Sequence, residues 1–115
     1  METPPDLAAV RLLAMALPEA HETLTWGHPQ FRVADKIFCA VEAEPDGVPA
    51  ITVKVGKPHL GLFLADPRFR QADYVGRHGW VTLKLGPQVP TEELQALIET
   101  SYQLVRGKLP KRAGK

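Results

Sequence analysis

Basic and aromatic side chains fall on one side of segments whose residues alternate between apolar and polar. In residues 51–55 and 80–85, Ile, Val and Leu alternate with Thr, Lys and Trp, which is typical of strands with one buried and one open face. The predicted open face carries Arg32, Lys54, Trp80 and Lys84. An aromatic ring among cations can stack on a base, bind an acidic peptide or hold a small anion. In the alternative interpretation, Trp80 packs beneath the irregular segment before it and the cations only solvate the sheet.

A second set of basic residues could contact the phosphate groups of a nucleic acid. Residues 56–84 contain five basic and two acidic side chains, and after Leu104 the chain has five basic residues and no acid. The candidate phosphate contacts are Arg68, Arg70, Arg77, Lys108, Lys111 and Arg112. In the alternative interpretation, the basic tail from about residue 108 is solvated and interacts with the C-terminal end of the last helix.

Nucleophilic catalysis and metal binding find little support in the residue types and their spacing. The one serine, Ser101, lies inside the last predicted helix and lacks the flanking glycines of a nucleophile elbow. The one cysteine, Cys39, alternates in phase with Ile37 and Val41, which indicates a buried and unreactive thiol. The same alternation puts Phe38 on the open face. The four histidines show no metal-ligand spacing, so we expect a non-enzymatic protein with no metal and no other cofactor.

Length and composition predict one ordinary domain over residues 1–115. The 115 residues are 44% hydrophobic and 23% charged, and their net charge of +1 excludes the large charge excess of a strong polyanion binder. No apolar run approaches the roughly 18 residues of a membrane span, and the N-terminus lacks the pattern of a signal peptide. We therefore expect a cytoplasmic monomer that does not bind membranes.

The elements that would position these side chains form an α+β pattern. Apolar residues at helical spacing predict a first helix, with a cap at Thr3 and an end at Pro18. Short connections predict antiparallel strands at 23–26, 30–33, 36–42 and 49–55, and after an irregular stretch a last strand is predicted at 80–85. A helical turn at 60–64 and a short helix at Pro67–Gln71 are expected, and a last helix begins at Thr91 and ends before Gly107. We predict a two-layer sandwich in which both terminal helices pack on one face of an antiparallel sheet.

Several short motifs resemble, in their order and spacing, those of the MmcQ/YjbR-like family of small bacterial proteins. They are WGHPQFRV at 26–33, KIF at 36–38, DPRF at 66–69, GWV at 79–81, SYQLV at 101–105 and KLPK at 108–111. The resemblance implies a fold similar to frataxin and CyaY, DNA binding through a double-wing arrangement, and no catalytic activity. Iron binding of the frataxin type is not expected, because the first helix offers only Glu2 and Asp6 in place of an acidic ridge.

Two hypotheses for function follow. In the first, which the resemblance implies, the protein is a non-enzymatic module that binds DNA weakly and without sequence preference. The hairpin that would form one wing carries Glu42, Glu44 and Asp46, and these charges repel phosphate. In the second, the open sheet face around Trp80 binds an acidic protein or a small anion. A contiguous basic surface would favour the first hypothesis, and a concave aromatic patch would favour the second.

Overall fold

Three helices and six strands make up the fold in the computed structural model, which describes residues 6–25, 27–73 and 75–107. The helices are α1 (Leu7–Met15), α2 (Lys57–Leu64) and α3 (Thr91–Arg106). The strands are β1 (Ala20–Thr25), β2 (His28–Val33), β3 (Lys36–Ala43), β4 (Pro49–Lys54), β5 (Phe69–Gln71) and β6 (Trp80–Lys84). A single 3₁₀ turn at Gly76–His78 precedes β6.

All six strands belong to one antiparallel sheet with the order β1-β2-β3-β4-β6-β5. Helix α3 packs across β3 and β4, α1 contacts α3 and β1, and α2 contacts β5 and β6. The apolar side chains of all three helices and of one sheet face join in a single core. The predicted α+β fold, with the terminal helices packed on an antiparallel sheet, is confirmed.

The terminal helices follow from capping and from apolar spacing. Asp6 caps α1, since its carboxylate accepts a hydrogen bond from the Ala9 backbone N–H at 3.2 Å. The predicted cap at Thr3 lies outside the described residues. Helix α3 begins at Thr91 as predicted, and its buried stripe consists of Leu94, Leu97, Ile98, Ser101, Tyr102 and Val105.

The short helix predicted at Pro67–Gln71 is wrong, because residues 69–71 form strand β5. The Asp66 carboxylate accepts a hydrogen bond from the Arg68 backbone N–H at 3.0 Å, which closes a turn instead of starting a helix. The chain then pairs with β6, where Phe69 lies opposite Leu83. This pairing joins residues far apart in sequence, and it prevails over the local cap-and-proline signal.

The placement of Phe38 on the open face is also wrong, because a β-bulge interrupts the alternation in β3. Phe31 pairs with Cys39, whereas the next residue of β2, Arg32, pairs with Ile37, so β3 has one extra residue at this point. Phe38 is fully buried on the helix side, where its ring meets the Tyr102 ring edge-on with a centroid distance of 5.2 Å. Ile37 shares the open face with Arg32.

Ser101 connects α3 to the bulge and to the end of β4. Its hydroxyl donates to the Phe38 carbonyl at 2.5 Å and accepts from the Lys54 backbone N–H at 2.8 Å. The extra residue of a bulge is left out of the regular ladder, so its carbonyl needs a partner from elsewhere. One buried hydroxyl therefore satisfies two backbone groups that the sheet leaves open.

We expect Ser101→Ala to lower the free energy of unfolding by about 1–3 kcal/mol, because it leaves these two backbone groups without a partner. Urea denaturation of wild type and variant measures the difference. Gln103→Ala, at an exposed position of the same helix, is the control for helix propensity and is expected to change stability by less than about 0.5 kcal/mol. Equal urea midpoints for wild type and Ser101→Ala would contradict the prediction.

Candidate functional site

A depression of about 610 Å³ is lined mostly by residues of the open sheet face, together with Val105 of α3, and we call it the open-face pocket. Six of its residues belong to three cross-strand pairs of neighbouring strands: Arg32 with Ile37, Ala40 with Thr52, and Lys54 with Trp80. The side chains of such a pair point to the same side of a sheet. The pocket therefore extends across β2, β3, β4 and β6.

The β2–β3 turn forms one rim of the pocket, and its backbone is strained. Ala34 and Asp35 both have positive φ angles, +49° and +69°, in a two-residue turn that usually carries Asn and Gly. Asp35 and Lys36 line the pocket from this turn. Strain of this kind is enriched at binding and catalytic sites.

The guanidinium of Arg32 is fixed by three neutral oxygen atoms. Its Nε donates to the Thr23 hydroxyl at 3.1 Å, its Nη1 to the Asp35 carbonyl at 2.8 Å, and its Nη2 to Gln30 Oε1 at 3.1 Å. Within the described part of the chain, no carboxylate forms an ion pair with Arg32. The side chain is thus held in one place while its positive charge stays available to a ligand.

The floor of the open-face pocket is apolar. The apolar residues that line the pocket, which we call its floor, are Ile37, Ala40, Val75, Val105 and the half-buried Trp80. The Thr52 Oγ1 lies 2.9 Å from the Thr82 hydroxyl, and the two side chains share a buried hydrogen bond. Among the described residues, the charged side chains that line the pocket are Arg32, Asp35, Lys36 and Lys54.

Three of the four residues predicted on the open face meet in the pocket: Arg32, Lys54 and Trp80. The fourth, Lys84, lies on the same face towards the other end of the strands and forms an ion pair with Asp46 of the β3–β4 hairpin. Trp80 packs on the core and also lines the pocket.

The predicted phosphate contacts of residues 68–77 do not form one basic surface. Arg68 donates to the carboxylates of Asp66 and Glu93, at 2.8 Å each, and lies over the Phe69 ring. Arg70 forms a bidentate ion pair with the Glu44 carboxylate, with N–O distances of 2.7 and 3.0 Å.

A hydrogen bond from Arg68 lowers the pKa of the Asp66 carboxyl, and a hydrogen bond from Arg70 lowers the pKa of the Glu44 carboxyl. Arg77 is exposed, and among the described residues its side chain hydrogen-bonds only to the His78 ring. The remaining candidates, Lys108, Lys111 and Arg112, lie outside the described residues.

The two nucleophiles are buried parts of the core. Burial raises the pKa of the Cys39 thiol to about 12, and the Ser101 hydroxyl is engaged by two backbone groups. In residues 6–25, 27–73 and 75–107, no group of three or more His, Cys, Asp or Glu side chains is arranged to hold a metal ion. Over the same ranges, no helix has the length and hydropathy needed to cross a membrane.

Sequence reasoning missed Asp35, Lys36 and Ile37 as pocket residues. The two-residue connection after Arg32 was recognisable, and the residues on both sides of such a turn lie close together. This signal would have placed Asp35 and Lys36 beside Arg32. The position of Ile37 depends on the bulge, for which the alternation of residue types gives no signal.

The chain is similar to a family of known proteins over most of its length. The family model described as YjbR matches residues 15–104. The YjbR proteins of Escherichia coli K12 and O157:H7 are each 28% identical over 100 residues, which cover 84% of this chain and 83% of theirs.

Two solved structures have a similar fold. The crystal structure of Deinococcus radiodurans protein DR2400, from the DUF419 domain family, has a TM-score of 0.80 and 25% identity; the match covers 94% of this chain and 83% of that one. A Pseudomonas syringae protein has a TM-score of 0.73 and 22% identity, over 87% of this chain and 98% of its own.

Proposed function

The chain belongs to the YjbR family, and we propose that it is a non-enzymatic binding module that holds a small organic anion in the open-face pocket. One observation carries the proposal: a concave site with an apolar, aromatic floor has Arg32, Lys36 and Lys54 on its rim. Its volume of about 610 Å³ falls within the range of small-molecule sites, about 300–1,000 Å³.

The floor and the rim of the pocket would contact different parts of the ligand. Contact with the floor would remove the apolar part of a ligand from water, which is favourable in proportion to the area covered. Arg32 would bind the anionic group without rearrangement, because its three hydrogen bonds already hold it in place. Preorganisation of this kind reduces the entropy cost of binding.

DNA binding stays a prediction that rests on the family resemblance. A nucleic acid requires a contiguous basic surface, and Arg68 and Arg70 are already engaged with carboxylates. The concave aromatic patch therefore supports the small-anion function more directly than the DNA function.

The experiment compares two fluorescent probes that share one ring system. We expect 8-anilinonaphthalene-1-sulfonate, which carries a sulfonate, to bind with one molecule per chain. N-Phenyl-1-naphthylamine, which lacks the sulfonate, should bind at least about 10-fold more weakly, because a hydrogen bond to a charged group contributes about 1.5–3 kcal/mol. Arg32→Gln should lower the affinity for the sulfonate probe by a similar factor and leave the affinity for the neutral probe unchanged.

Lys57→Gln is the matched control, because it removes an exposed positive charge that does not line the pocket. It should leave both affinities unchanged, and circular dichroism should show that all variants are folded. The proposal fails if the sulfonate probe binds Arg32→Gln and wild type equally tightly, or if both probes bind wild type equally.

A further inference from the structure

We infer that the anionic group held by Arg32 in the open-face pocket is the α-carboxylate of a free aromatic amino acid, whose ammonium group binds the Asp35 carboxylate. This inference rests on the proposed function and names its ligand class. It follows from two opposite charges that come from one turn without pairing, and from the aromatic ring in the same pocket.

Arg32 and Asp35 both line the pocket, and their opposite charges do not neutralise each other. The Arg32 Nη1 donates to the Asp35 backbone carbonyl at 2.8 Å, so the guanidinium is bonded to the main chain of Asp35 and not to its carboxylate. Within residues 6–25, 27–73 and 75–107, the Asp35 carboxylate takes part in no ion pair. Both charges are therefore available to a ligand.

Two neighbouring charges of opposite sign match a zwitterion. A free α-amino acid carries a carboxylate and an ammonium group on one carbon atom at neutral pH, because the carboxyl pKa lies below this pH and the amino pKa above it. A guanidinium has five N–H donors, and Arg32 uses three of them in its bonds to Thr23, Gln30 and Asp35. One N–H of Nη1 and one of Nη2 remain for the two oxygens of a carboxylate.

The C-terminal end of α3 also favours a positive group in this pocket. Val105 lines the pocket from the last turn of α3, which ends at Arg106. The backbone carbonyls at the end of a helix carry partial negative charge, which attracts a cation and repels an anion. A ligand with an ammonium group beside its carboxylate therefore suits this pocket better than a ligand with negative charge alone.

The floor of the pocket matches an aromatic side chain. The half-buried ring of Trp80 lines the pocket together with Ile37 and Ala40 of β3. Aromatic rings attract each other in offset-stacked and edge-to-face arrangements, in addition to the gain from the apolar area that they remove from water. We therefore assign an amino acid with an aromatic side chain.

The same charged groups occur at the two ends of a peptide. The C-terminal residue of a peptide has the carboxylate without the ammonium group, and the N-terminal residue has the ammonium group without the carboxylate. Only a free amino acid offers both groups on one carbon atom to Arg32 and Asp35. In the test, N-acetyl-L-tryptophan and L-tryptophanamide stand for the two peptide ends.

The test is isothermal titration calorimetry of the full chain at pH 6.5, with L-tryptophan and a set of matched ligands. L-Tryptophan should bind with one molecule per chain. L-Tryptophanamide lacks the carboxylate and should bind at least about 10-fold more weakly, because hydrogen bonds between charged groups are lost. N-Acetyl-L-tryptophan and indole-3-propionate lack the ammonium group and should bind about 2- to 5-fold more weakly. This second difference is smaller because Asp35 is exposed, and exposed ion pairs contribute less to affinity.

Two variants assign the charged contacts. Asp35→Asn should abolish the preference for L-tryptophan over indole-3-propionate, because it removes the negative charge. Asparagine tolerates a positive φ as aspartate does, so the turn should keep its conformation. Arg32→Gln should abolish the preference for L-tryptophan over L-tryptophanamide.

A third variant assigns the aromatic contact. Trp80→Leu keeps an apolar side chain at this position but removes the ring. It should lower the affinity for L-tryptophan about 2- to 10-fold, because the interaction between the two rings is lost. Its affinity for L-leucine should equal that of wild type.

Glu92→Gln and Lys57→Gln are the matched controls, because each removes an exposed charge that does not line the pocket. Both should keep the preferences of wild type for L-tryptophan over the other ligands. Circular dichroism should show that all variants are folded.

The outcomes separate this inference from the proposed function. The inference is overturned if L-tryptophan binds no more tightly than indole-3-propionate or L-tryptophanamide while the sulfonate probe still depends on Arg32. In that case the pocket binds organic anions of another class. It is also overturned if Asp35→Asn keeps the preference for L-tryptophan, or if N-acetyl-L-tryptophan binds as tightly as L-tryptophan, which would indicate a peptide C-terminus. If neither L-tryptophan nor the sulfonate probe depends on Arg32, both proposals fail.

Discussion

Replacing Gly79 with alanine is expected to lower the free energy of unfolding by about 2–5 kcal/mol, through strain and overpacking together. Gly79 has a φ of +94°, which L-residues rarely adopt. A Cβ at this position would lie 2.6 Å from the Gly56 carbonyl carbon and from the Lys57 nitrogen, and neither backbone atom can move aside. The Gly79 carbonyl also accepts hydrogen bonds from Val55 and Gly56, so any shift would break the connection between β4 and α2.

Gly61→Ala provides a control with the same chemical change. Gly61 lies in α2, where nothing stands within 4 Å of an added Cβ outside the helix backbone. Alanine there should leave stability unchanged or raise it by up to about 1 kcal/mol, because it favours the helix. Thermal and urea denaturation measure both variants. Equal stabilities of Gly79→Ala and Gly61→Ala would show that the close approach between Gly79 and Gly56 does not exist.

The Leu97→Ala variant should lose about 2–5 kcal/mol of stability, because it leaves a cavity between α3 and the sheet. Leu97 is only 5% exposed and belongs to the core that joins the helices to the strands. In urea denaturation, this loss of stability appears as a lower urea concentration at the midpoint of unfolding. The denaturant slope should stay unchanged, since the same surface is exposed on unfolding.

Leu62→Ala is the matched control for this change, since Leu62 lies in α2 and is 74% exposed. Its expected effect is below about 0.5 kcal/mol, because surface substitutions away from special features have small effects. If the urea midpoint of Leu97→Ala equalled that of Leu62→Ala, the packing of α3 on the sheet would be contradicted.

Local patterns predicted most of the fold and three of the residues that line the pocket. The apolar stripe of α3 and the alternation in β4 and β6 both concern neighbours in sequence, and both fixed which side chains face the core. The open-face positions of Arg32, Lys54 and Trp80 followed from the same alternation. A regular strand or helix has one period, so a few residues are enough to define its faces.

The features that sequence reasoning missed depend on distant partners. Strand β5 exists because residues 69–71 pair with β6, and Arg70 forms an ion pair with Glu44 of the β3–β4 hairpin. The sequence separation of this ion pair is 26 residues. Neither contact leaves a local periodic trace, so the charge pattern alone suggested more exposed basic surface than the fold provides.

The two ends of the open sheet face differ in charge. At the β3–β4 hairpin, the acidic side chains of Glu44 and Asp46 are paired with Arg70 and Lys84. At the β2–β3 turn, Arg32 is held by neutral oxygens. An anion that approaches this face is therefore attracted to the turn end, where the pocket lies.

The bulge in β3 keeps the Phe38 side chain on the helix side of the sheet and out of the open-face pocket. In a regular β3 the residue before Cys39 would face the open side, so the phenyl ring that now meets Tyr102 would point towards the depression. We therefore expect the loss or gain of a single residue in this strand to change the space in the pocket more than a substitution along its rim does. Among related chains, short insertions and deletions within this strand would thus separate members able to take up a ligand from members whose sheet face is sealed.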